Sequence, residues 1–149
     1  MNNTTKISDE DRNFMNKAAH AGIAEVKAAE MALEKSDNED VRRFAQKMID
    51  DHTKANEELK QLAKEKNEIL PTEPNKKQEE AADELSVLSG EDFDTEYMDV
   101  QVSDHETMID FFEDEIDDGA DSDVTNFATK TLPTLKSHLE MAENINNSL

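Results

Sequence analysis

VQVSDHETMIDFF spans Val100–Phe112. Together with its flanks it forms one stripe at helical spacing: Met98, Val102, His105, Ile109, Phe112 and Ile116. Steps of three and four residues put all six on one side of an α-helix. Every member is apolar except His105. An imidazole therefore stands where a core is expected, and its meaning depends on what the other helices bring to the same height.

The 149 residues suit a single domain, 1–149, around one continuous core. Apolar residues make up 35% and charged residues 36% of the chain, which is polar for a folded protein. The apolar residues nevertheless recur at fixed spacing, which argues against disorder. There are three Gly, three Pro, six Phe, one Tyr and no Trp, while Ala, Glu, Lys and Leu fill long stretches. This is the composition of a helical bundle. A formal net charge of −21 repels nucleic acid and anionic lipid, so neither is an expected partner. Such a surface serves solubility or a salty habitat, and it can also concentrate cations. The absence of cysteine excludes disulfides and thiolate metal sites. MNNTTKISDEDRN at the start contains no apolar stretch, so no signal peptide or membrane anchor is expected there. No later run approaches the ~18 apolar residues of a membrane span.

Four long helices are predicted over about residues 8–35, 39–67, 91–118 and 123–146. Ser8, followed by acids, starts the first. SDNED turns into the second, and Pro71 and Pro74 break the chain after it. A crossover over 69–90 holds a short helical piece, KKQEEAADELSVL, ended by Ser89 and Gly90. DDGADSD makes the last turn, with Asp121 or Ser122 as cap. Pro133 should kink the fourth helix.

The two hairpins look related at an offset of 83 residues. Met15 falls on Met98, Leu33 on Ile116, Val41 on Val124, Phe44 on Phe127, Ala45 on Ala128 and Glu57 on Glu140. No gap is needed, and the turns coincide. Shared helical period alone produces some such matches. Two helical hairpins joined by a long crossover predict an all-α, ferritin-like four-helix bundle.

Each inward stripe is interrupted once near its middle. The first helix reads Phe14, Ala18, Ala21, Glu25, Ala28, Ala32, and the second Ala45, Met48, His52, Ala55, Leu59, Leu62. The fourth reads Val124, Thr131, His138, Ile145 at steps of seven. Measured from the hairpin turns at ~1.5 Å per residue, Glu25, His52, His105 and His138 lie ~18–28 Å along helices ~40 Å long. Three imidazoles and one carboxylate are thus expected in one mid-bundle layer. Such ligands suit a divalent transition metal: zinc, iron, manganese or copper. Asp51 and Asp104 each precede a histidine and are candidates to orient a ring or balance charge. Ala18, Ala21 and Gly22 leave space opposite. Met48, Met108 and Met141 lie one turn from the histidines, where they either fill core gaps or offer thioethers to copper(I). His20 shares its face with Asn13, Asn16 and Lys17 and is expected at the surface.

The opposing reading is a core whose histidines are satisfied by one another or by water. Three such histidines near Glu25 would loosen the bundle in mild acid. A ferritin-type di-iron site is not expected. The residues three before the histidines are Lys17, Ile49, Val102 and Leu135, none of them acidic. No phosphate loop or nucleophile motif is present.

FMNKAAHAGIAEV, FAQKMIDDHTKANEELKQLA, the LP after the second helix, LSGEDFDTEYMDVQVSDHE and ATKTLPTLKSHLEMA resemble an uncharacterised bacterial family. This is the "domain of unknown function 4142" group, commonly labelled outer-membrane or periplasmic proteins. The resemblance runs from about Asp11 to Ile145. It implies a ferritin-like fold and an exported, periplasmic location. It also places Gly22, Glu25, His52, His105 and His138 on the family's own motif positions. The chain departs from the family in its heavier acidity and in showing no export signal.

The leading expectation is a metal-binding helical bundle of the bacterial envelope, leaning away from catalysis, that serves metal handling or stress tolerance. A redox enzyme using the same site with iron or manganese is the first alternative. A metal-free structural or interaction protein with pH-sensitive histidines is the second. The metal ion is the one expected partner, and the oligomeric state stays open, a homodimer included.

Overall fold

In a computed structural model, residues 7–149 are described. They form five helices in the order α1 Asp9–Lys35, α2 Glu39–Glu65, α3 Lys76–Ser86, α4 Gly90–Asp118 and α5 Ser122–Ser148, with no strand among the described residues. No helix among them is long and apolar enough to cross a membrane.

Local chemistry sets these boundaries. Ser8 caps α1 through a capping box with Asp11, in which side chain and backbone bond in both directions. Asn38 caps α2 by accepting from Asp40 N at 2.9 Å and Val41 N at 3.1 Å. Asp121 caps α5 by accepting from Asp123 N at 2.9 Å and Val124 N at 3.1 Å. The offset of 83 therefore extends to matching cap bonds. The second helix stops before the prolines. Asn67 takes a φ of 59°, and Glu68 N bonds back to Ala63 O at 2.8 Å. That is a Schellman stop, which Asn tolerates better than most residues. Gly90, expected to end the short helix, instead opens α4 at a φ of 58°. Helix α5 continues through Pro133.

Both hairpins pack closely, and α1 also lies on α4 while α2 lies on α5. Asp11, at the start of α1, bonds to the turn between α4 and α5. Lys35, at the end of α1, bonds to Leu88 O just before α4. Neighbouring long helices are thus antiparallel, and the crossover carries the chain from one end to the other. Short α3 packs on α1 and α4. His20, expected at the surface, is half-buried and hydrogen-bonds Glu73 O of the crossover at 2.7 Å.

The apolar core has two halves. One gathers Phe14, Met15, Leu59, Phe112, Phe127 and Leu135. The other gathers Val41, Phe44, Met48, Phe93, Tyr97 and Met98. Between them, buried, lie Glu25, His52, Gln101, His105 and His138. The stripe on α4 is rotated from the predicted one. Val102, Ile109 and Ile116 are half-buried, while Tyr97, Gln101 and Met108 point inward.

Candidate metal centre

His52 on α2, His105 on α4 and His138 on α5 meet in this layer. One ring nitrogen of each lies within 4.8 Å of one from each of the others. The ring centroids are 5.3–5.9 Å apart. His105 and His138 are fully buried and His52 is 5% exposed. Phe44 closes the layer on one side, 6.4 Å from the ring of His105 and 6.5 Å from that of His138.

The outer bonds of two rings define their tautomers. His105 donates Nδ1–H to Gln101 O at 2.8 Å, one turn earlier in α4. His138 donates Nε2–H to Asp51 Oδ2 at 2.7 Å. The nitrogens left over carry lone pairs, because a neutral imidazole has one donor and one acceptor. Those nitrogens, His105 Nε2 and His138 Nδ1, are buried and without a partner, as is His52 Nε2. A bare buried acceptor costs on the order of 1–3 kcal/mol. Three together are what a bound dication would satisfy. A ring held at its far nitrogen by a carboxylate or carbonyl is also the usual support of a metal-binding histidine.

Electrostatics keep the rings in the ligating form. Burial pushes His52 down to about 3, helped by His105 and His138. Burial likewise brings His105 to about 4, against its bond to Gln101. His138 is lowered by burial too, although Asp51 opposes this. All three are neutral at neutral pH, as metal binding requires. Burial alone would raise Asp51, but His138 and Lys47 outweigh it and keep its carboxylate below the usual range.

A cavity of about 110 Å³ leads from solvent to His52 and His138 past Asp51, Thr131 and Thr134. A smaller one of about 20 Å³ touches His52, Gly22, Met108 and Leu135. It has room for one water-sized ligand. Three protein nitrogens and one open position are the pattern of a metal site that can exchange a ligand.

The sequence matches, over residues 1–145, the family described as "Domain of unknown function (DUF4142)". The chain belongs to this family. No curated protein matches it. In structure, this DUF4142 chain is similar to a DUF305 fragment from Deinococcus radiodurans. The TM-score is 0.86 at 16% identity, covering 97% of this chain and 99% of that one. A DUF305 protein from Streptomyces coelicolor, described as a candidate secreted protein, gives 0.77 at 13% identity over 91% and 89%. CopM in its Cu(II)-bound form gives 0.78 at 14% identity over 93% and 96%. At such identities the likeness shows the helical fold.

Not every expected site residue of the DUF4142 chain joins the histidines. Glu25 is 3% exposed, but it is outside their group. It faces α4, where the charge of Asp104 and the amide of Gln101 bear on it. Helix α1 packs on α4 and α2, and Glu25 on it meets α4 near Gln101, one turn from His105. Asp51 does orient a ring, but that of His138 across the bundle rather than that of neighbouring His52. Asp104 is exposed and bonds no histidine. Sequence reasoning missed Gln101, which lies one turn before His105. The same i, i+4 spacing that placed Met48 by His52 would have found it.

Proposed function

We propose that this protein is a ferritin-like metal-binding bundle in which His52, His105 and His138 hold one divalent transition metal. The observation that carries the reading is the set of three buried, unpartnered imidazole nitrogens in one layer, two of them aimed by bonds at the far side of the ring. All-nitrogen donors favour copper(II) or zinc over iron and manganese at equal availability. The Cu(II)-bound form of CopM, a structural neighbour, supports copper as the first metal to test. Glu25 lies outside this set, and we assign it no ligand role toward the histidine-bound ion. The family resemblance and the candidate secreted relative support an exported location and a part in metal handling or stress tolerance.

The small cavity beside His52 favours one second reading, a redox enzyme. A bound metal there would keep a position open for dioxygen, peroxide or superoxide.

Metal-free protein equilibrated in turn with copper, zinc, iron and manganese, then desalted and analysed for metal, tests the proposal. The expected result is one tightly held ion per chain, absent from His105→Ala. No retained metal with any of the four would overturn it and leave a pH-sensitive polar layer as the account of the histidines. A retained metal that cycles between oxidation states with turnover of peroxide or superoxide would move the assignment to the enzyme.

A further inference from the structure

Between α1 and α4, next to the histidine layer, lies a second group of orphaned polar atoms. Glu25 Oε1, both amide heteroatoms of Gln101 and the hydroxyl of Tyr97 are buried and without a hydrogen-bond partner. Gln101 and Tyr97 are fully buried. The negative charge of Glu25 bears on Tyr97, and that of Asp104 on Glu25. Burial, with Asp104 adding to it, pushes the Glu25 carboxyl up to about 8, against the nearby Gln101 amide. A buried carboxyl beside a second carboxylate, with no cation bonded to it, is a poorly compensated arrangement.

Glu25 also lines a cavity of about 390 Å³ between α1, α4 and the crossover. Asp104, Asp110 and Asp114 line the same cavity, and Thr107 adds a hydroxyl. Two lysines are near. Lys17 lines the wall with its ammonium 6.0 Å from the centroid of Phe111, and Lys77 acts on Asp104 from α3. Neither forms an ion pair with Glu25 or Asp104.

We infer that Glu25 and Asp104, with the amide oxygen of Gln101, form a second cation site, separate from the histidines and open to this cavity. Its donors are all oxygens, and two are carboxylates. That chemistry selects a hard divalent cation of the calcium or manganese class, whereas the histidine layer selects a softer, nitrogen-seeking metal. The acidic cavity wall draws cations inward by its field. The bundle would thus hold two unlike cations, one among the histidines and one between α1 and α4.

Tyr97 supplies the test, because it is the only tyrosine in a chain without tryptophan. Terbium(III) is a hard oxygen-seeking probe whose emission is sensitised by tyrosine only at short range. Acidic residues elsewhere on the surface can bind terbium without giving this signal. Titration of the metal-free full chain is expected to give saturable tyrosine-sensitised emission that excess calcium removes. Glu25→Gln should raise the half-saturating terbium concentration about tenfold or more, through loss of one ligand charge. Asp104→Asn should act in the same direction, and His52→Ala should leave the titration unchanged. Asp104 is exposed, so its variant keeps the test decisive if Glu25→Gln fails to fold. Absence of sensitised emission from the folded wild type would overturn the inference. So would titrations of Asp104→Asn and folded Glu25→Gln that match the wild type.

Discussion

His138 Nε2 on α5 and Asp51 Oδ2 on α2 lie 2.7 Å apart, joining the two hairpins through 87 residues of sequence separation. The bond gives the ring its tautomer and leaves Nδ1 buried with an unpartnered lone pair. Lys47 holds the same carboxylate oxygen at 3.2 Å, so Asp51 is itself positioned. The half-buried carboxylate can therefore be changed without opening the apolar core.

Asp51→Ala is expected to weaken the binding of copper or zinc by about 10–100-fold, the usual effect of removing such a support. Competition against a chromophoric chelator measures this. Asp104→Asn should leave the same affinity unchanged, because Asp104 bonds no histidine.

The metal-free protein should lose stability in acid. The folded pKa values of His52 and His105, about 3 and about 4, lie below the ordinary histidine value of 6.5. The folded state then binds fewer protons than the unfolded state between these limits, so stability is complete above 6.5 and is lost as pH falls through the folded values. Melting temperature should drop over that window, and a folded His105→Leu variant should show a shallower drop.

Glu115 predicts the opposite trend at high pH. It is 1% exposed with both oxygens unpartnered. Burial first, then the neighbouring carboxylate of Asp11, push it up to about 9 from an ordinary value of 4.5. Here the folded state binds more protons, so stability is complete below 4.5 and is lost as pH rises through about 9. Glu115→Gln keeps the shape and does not titrate. Its melting temperature should fall less than that of the wild type between these limits.

Asp11 ties the start of α1 to the far hairpin. Its two oxygens accept from Ser8 N at 2.9 Å, Ala120 N at 3.1 Å and Asp121 N at 3.0 Å. Asp11→Ala strands these amides, and urea denaturation should show a loss on the order of 1–3 kcal/mol. Gly119→Ala attacks the same corner sterically. A Cβ there would meet the backbone oxygen of Glu115 at 2.6 Å, which no side-chain rotation relieves. Overpacking of this kind costs about 1–3 kcal/mol.

Much of this was legible in the chain, for identifiable reasons. Apolar spacing located the long helices to within a few residues, since burial of one face dictates that spacing. The three histidines were legible because each breaks an apolar stripe, and counting from the turns gives height directly. Height says nothing about angle. Glu25, counted into the same layer from the turns, instead meets α4 near Gln101 and Asp104. The pairing of Asp51 with His138 depends on α2 lying against α5, which no local pattern encodes. Glu115 sits among Glu113, Asp114, Asp117 and Asp118, so nothing in its neighbourhood marks it as the buried member. In sequence the second helix ends at Asn67 on the strength of the prolines that follow, although the asparagine is itself the stop signal, at a φ of 59°.

X-ray absorption at the metal edge, on protein loaded with one equivalent of copper(II) or zinc, tests the three-histidine centre most directly. The account predicts three imidazole nitrogens at about 2.0–2.1 Å, as in other histidine sites, with one further light ligand. That imidazole signature should disappear in His105→Ala. A first shell of oxygens alone, or the same spectrum from wild type and His105→Ala, would contradict it.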